Sequence, residues 1–70
     1  MKEEKIINFT MKSGKIIKGL ITTEGETFEQ IMEALGKIFK NDFVGLVNAC
    51  NKKSHIVLNV REIESFEVYD

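Results

Sequence analysis

Within a hairpin that reads from Lys5 to Thr23, apolar and polar positions alternate with period two from Ile7 to Met11, where Ile7, Phe9 and Met11 are separated by Asn8 and Thr10. That period is the mark of a half-buried strand. Lys12-Ser13-Gly14 follows as a turn, with glycine able to take a positive φ. Lys15 to Thr22 then reads as the return strand. A three-residue loop with Gly14 as a bulge sets Phe9 opposite Ile17 and Asn8 opposite Lys18. This register gathers Ile7, Phe9, Met11, Ile17 and Ile21 on one face, whereas a two-residue loop would set Phe9 against Lys18. Gly19 inside the strand marks a bend or a close backbone approach.

The period changes after Glu24-Gly25-Glu26. Thr27 with Gln30 three positions on is a capping-box pattern. Phe28, Ile31, Met32, Leu35, Ile38 and Phe39 then recur at helical spacing, with Glu29, Glu33, Lys37 and Lys40 on the opposite side. Acidic residues early and lysines late suit the helix dipole. Asn41 is a stop signal. The expectation for the stripe is core packing, with Met32 and Phe39 at its flanks partly exposed to a partner.

Asp42 to Cys50 and His55 to Val60 read as a second hairpin around Asn51-Lys52-Lys53-Ser54. Asn59 to Ile63 forms a tight corner, and Glu64 to Tyr69 a last strand with Phe66 and Val68 inward. The expected fold is therefore α+β in the order ββαβββ. One amphipathic helix must be covered by a sheet face, so the strands should form a small bent antiparallel sheet or partly open barrel beneath it.

The 70 residues allow one domain, 1–70, with 1–4 expected to fray. A chain this short has a marginal core and usually gains stability from disulfides, metal or a partner subunit. One cysteine and one histidine provide neither a disulfide nor a zinc site. Self-association through sheet edges is what elimination leaves. The net charge of −1 gives no long-range pull toward nucleic acid or anionic lipid. No apolar run is long enough to span a bilayer, and no apolar leader follows Met1, so a cytoplasmic protein is expected. Arg61 is the single arginine in a chain rich in lysine, isoleucine and asparagine, a usage that suits an AT-rich bacterial or phage genome.

The run Phe9-Thr10-Met11-Lys12-Ser13-Gly14-Lys15-Ile16-Ile17-Lys18-Gly19-Leu20-Ile21 resembles the first motif of Sm-like proteins, with its turn glycine and a second glycine five positions later. Residues 56–68 resemble the closing strand, corner and strand of Sm-like and other small SH3-like barrels. The resemblance implies a small barrel whose edges can form rings or dimers. It does not imply an RNA site. Glu24-Gly25-Glu26 stands where the family has its acidic residue, methionine and asparagine, and Asn59-Val60 replaces its arginine-glycine pair.

Candidate chemistry is sparse. A four-residue loop would bring Cys50 opposite His55, but no third group is placed to orient the imidazole. The ordinary reading is a buried small thiol beside a surface histidine. Glu24, Glu26 and Glu29 match no calcium loop and read as a solvated helix start. Lys12, Lys15, Lys18, Lys52 and Lys53 sit at or near hairpin ends and could join into one phosphate-binding patch. The candidate partner surface is Glu29, Met32, Glu33, Phe39 and Tyr69.

No catalytic set, cofactor motif or metal set emerges. The expected function is a non-catalytic protein–protein interaction or regulatory module, phage- or mobile-element-encoded in type, acting as a homo-oligomer on an unidentified protein. The alternative is a Sm-like nucleic-acid binder using the lysine-tipped hairpins.

Overall fold

The structure is a computed structural model, and residues 2–69 are described. Five antiparallel strands and one helix follow in the order β1 (Glu3–Met11), β2 (Ile16–Thr23), α1 (Phe28–Ile38), β3 (Phe43–Asn48), β4 (His55–Asn59) and β5 (Ile63–Tyr69). A 3-10 turn, Val60–Glu62, joins the last two strands. The sheet order is β4-β3-β2-β1-β5. The α+β fold, one bent sheet and one helix, is as the pattern of the chain predicts.

The first hairpin has the expected register: Phe9 faces Ile17 and Asn8 faces Lys18. Its turn is closed by Met11 N–H donating to the Lys15 carbonyl at 2.8 Å and Gly14 N–H to that of Met11 at 2.9 Å. Gly14 has φ 91°, a conformation a side chain would oppose. Of the residues 1–4 expected to fray, Glu3 and Glu4 of β1 pair with Thr23 and Thr22, and Met1 lies outside the described residues.

The topology dictates curvature. β4 and β5 are the two outer strands, yet only Val60–Glu62 separate them along the chain. A flat five-stranded sheet would hold its outer strands roughly 19 Å apart at ~4.8 Å per strand. Three 3-10 residues advance only about 6 Å. The sheet must therefore curl until its edges converge at this corner. Two backbone bonds pin it there: Val60 N–H to the Asp42 carbonyl, 2.9 Å, and Lys12 N–H to that of Glu62, 2.8 Å.

The concave face holds the core: Ile7, Phe9 and Met11 of β1, Val44 of β3 and Leu58 of β4. From α1 only Ile31 and Leu35 are buried. The capping box is formed, with Gln30 N–H donating to Thr27 Oγ1 at 3.2 Å and Thr27 N–H to Gln30 Oε1 at 2.9 Å. Past the helix end, Phe39 packs edge-on against Phe66 at 5.2 Å and Phe9 at 6.2 Å between ring centroids. The helix is thus gripped at its C-terminal end. Core packing of the whole stripe is not what forms: Phe28 is 59% exposed and Ile38 38%, whereas Met32, exposed, and Phe39, half-buried, are the two flanks expected to be open.

The second hairpin is shorter than the sequence pattern predicts. β3 stops at Asn48, whose side-chain oxygen accepts the Cys50 N–H at 2.8 Å. Asn51 accepts the Lys53 N–H in the same way at 3.1 Å. Asparagine side chains that capture backbone donors two residues on make turns and compete with strand pairing.

Candidate interaction surface

β1 pairs with β5 along one side of the latter: Phe9 faces Phe66, Ile7 faces Val68 and Ile6 faces Tyr69. No strand takes its other side among the described residues. Beside that edge runs a groove of about 710 Å³ between β5 and α1. Phe66 and Val68 line its strand side, Phe28 and Met32 its helix side, and Phe39 and Val60 are also part of the wall. The aromatic contact of Phe39 with Phe66 closes the groove toward the C-terminal end of the helix. Phe28, at the N-terminal end of the helix, is exposed along it.

The charged residues along this groove are both acids: Glu64, and Glu67, whose carboxylate turns to the other face of the strand to meet Tyr69. Glu64 is the extra residue of a bulge: Thr10 faces Ser65 and Met11 faces Ile63, leaving Glu64 unpaired between them. Bulges re-aim a side chain and bend the strand. On the helix, Glu29 and Glu33 follow Phe28 and Met32 by one position each. At 100° per residue they continue the groove's outer flank into solvent, and both are exposed. Gly36 lies on the same flank, with no atom within 4 Å of where its side chain would begin.

Tyr69 Oη donates to Glu67 Oε2 at 3.0 Å. That hydrogen bond, then the charge of the carboxylate and slight burial, hold the phenol above its ordinary value of 10.0, opposed by a hydrogen bond with Asn8. The partner-surface residues read from the sequence thus fall into two groups. Met32 and Phe39 line the groove and Glu29 and Glu33 extend its helix flank, while Tyr69 lies along β5 on the other face of the sheet. Phe28 and Glu64 were not among them. Phe28 carries the helical-stripe pattern that indicates burial, and a bulge leaves no mark in a period-two reading.

A second feature crosses the convex face. Tyr69, Ile6, Leu20, Val47 and His55 are successive cross-strand neighbours from β5 through to β4. The row joins the two outer strands and places Ile6, Leu20 and Val47 side by side on the face opposite the core.

The lysines do not gather at one hairpin end. Lys12 and Lys15 flank the tip of the first hairpin, and Lys18 lies along β2 opposite Asn8. Lys52 Nζ is 3.0 Å from Glu4 Oε1. Glu4 is eight positions along β1 from Lys12, up to roughly 26 Å at ~3.3 Å per residue. Lys53 is exposed in the β3–β4 turn.

Cys50 and His55 are not cross-strand neighbours. His55 faces Val47, and Cys50 lies in the turn beyond Asn48. The thiol is exposed, contrary to the buried position expected of it. The Glu26 carboxylate accepts the Glu24 N–H within the turn before the helix. Among the described residues no three histidine, cysteine or acidic side chains converge as metal ligands, and no helix is long and apolar enough to cross a membrane.

Comparison with known protein families, with curated proteins and with solved structures finds no match to the chain.

Proposed function

We propose that this chain is a non-catalytic interaction module of the cytoplasm that works through its sheet edges, joining a second copy by one edge and a protein partner by the other. The observation that carries the reading is the pair of outer strands left open by a sheet that curls without closing. Unpaired strand edges offer rows of backbone donors and acceptors to any chain that can extend beside them. β4 suits self-association. His55 is its only ionisable residue, and Val57 on it is 70% exposed. Two β4 edges can meet about a twofold axis without setting like charges against each other. Two β5 edges would juxtapose Glu64 and Glu67 with their copies.

Sedimentation velocity over a range of concentrations tests the reading. The expected result is a dimer that Val57→Lys converts to a monomer, since charge on an outer strand blocks edge pairing. A wild-type chain that stays monomeric at every concentration would overturn it.

The alternative is nucleic-acid binding, supported by the exposed Lys12 and Lys15 on either side of the first hairpin tip and by the Sm-like resemblance of that hairpin. It predicts retention on single-stranded RNA or DNA that falls as salt rises.

A further inference from the structure

We infer that the groove between α1 and β5 receives an extended, basic segment of another protein, added to the outer edge of β5 as a sixth strand. The inference rests on the interaction-module reading above and names the partner of one of its edges. Three independent features converge on it.

The first is geometric. An added strand would satisfy the outward backbone groups of β5, and every second side chain of it would point to the helix side. There it meets an apolar trough rather than packed core, lined by the exposed Phe28 and Met32 and by Phe66 and Val68.

The second is charge. Acids flank the β5 edge on both faces: Glu64 on the trough side with Glu29 and Glu33 along the helix, and Glu67 beside Tyr69 on the other face, where the alternate side chains of an added strand point. The bulge spends a backbone pairing position and leaves Glu64 on the groove. Lysine or arginine on the incoming strand would complement these carboxylates. A second copy's β4 has no lysine or arginine to offer, and a second copy's β5 would bring like charge.

The third is Gly36. Glycine inside an exposed helix costs about 1 kcal/mol relative to alanine. Among the described residues nothing outside its own helix backbone packs where its side chain would begin. A bare helix flank beside Met32 lets an incoming chain approach closely.

The test is an amide-resolved NMR titration of the full chain with a synthetic peptide of alternating valine and lysine. Companion peptides replace lysine by glutamate, replace lysine by glutamine, or carry N-methyl groups on alternate amides. The expected result is saturable shifts at residues 63–68 and at Met32 with the lysine peptide. Binding should be lost with glutamate and with N-methylation. Glu64→Lys, at an exposed position, should weaken it about tenfold, as reversal of a contacting charge does. Phe28→Ala should weaken it severalfold at little cost to folding.

Equal binding of the lysine and glutamine peptides would overturn the basic partner while leaving strand addition standing. Binding of the lysine peptide without shifts at 63–68 would overturn the site. Shifts at 63–68 that follow protein concentration with no peptide present would assign the groove to a second copy and overturn the inference. If no peptide shifts β5 the inference fails, and sedimentation of the Val57→Lys chain still decides self-association separately.

Discussion

Leu46 lies directly over Gly19: a methyl group added at Gly19 would stand 3.0 Å from Leu46 Cδ1 and 3.3 Å from its Cβ. The glycine is where β2 and β3 meet. Gly19 faces Asn48 and Leu20 faces Val47, and these are the two residue pairs that join the strands. Gly19→Ala must push Leu46 aside at the narrowest part of the sheet. Overpacking of this kind costs about 1–3 kcal/mol, against about 0.4–1 kcal/mol gained from a stiffer unfolded chain. The expected outcome is a net loss, read as a lower urea midpoint with unchanged slope.

Gly36→Ala should do the opposite. A methyl group there would meet nothing within 4 Å outside its own helix backbone, so only the backbone effect operates. Thermal unfolding should show a gain of about 1 kcal/mol.

Thr27 caps α1 through a reciprocal pair of bonds with Gln30. Thr27→Ala leaves the Gln30 N–H without its acceptor and should destabilise the fold by about 1 kcal/mol. Loss of helix signal by circular dichroism at lower denaturant concentration checks it.

The phenol of Tyr69 is held above its ordinary value chiefly by its hydrogen bond to Glu67. Tyr69 is the chain's one tyrosine, so ultraviolet absorbance of tyrosinate reports it alone. Its midpoint should lie above that of the unfolded chain, and Glu67→Gln should lower it. Because the folded value is the raised one, this contribution to stability is complete below the unfolded midpoint. It is lost as pH rises through the folded one.

Cys50 is exposed in the β3–β4 turn. It should react with iodoacetamide in the native protein at the same rate as in the chain unfolded by urea, after correction for solvent. Strong protection in the native state would contradict the position described.

What the sequence makes legible follows locality. The first hairpin is readable to the residue because Lys12-Ser13-Gly14 admits one loop that keeps Phe9 and Ile17 on the same face. The helix start is readable because Thr27 and Gln30 sit three apart. The end of β3 is not, since Asn48 reads as a strand residue and only Asn51 as turn. Their side chains turn the chain only once they capture Cys50 and Lys53. Phe28 escapes for a related reason: periodicity assigns a residue to a helix face but cannot say how far that face stands from the sheet. The groove depends on the contact of Phe39 with Phe66 and on a bulge, and both arise from tertiary packing.

The pairing of β1 with β5 also governs when the fold can be completed. Phe9 and Phe66, opposite each other in the sheet, are 57 positions apart in the chain. During synthesis β1 can find β2 early, yet its other side stays open until residues 63–69 leave the ribosome. Sequence-distant pairing of this sort slows folding, with small β-rich domains closing in milliseconds to seconds. A nascent chain arrested before Ile63 would thus expose the Ile7 and Phe9 strand to chaperones, and release of the last seven described residues would be the committing step.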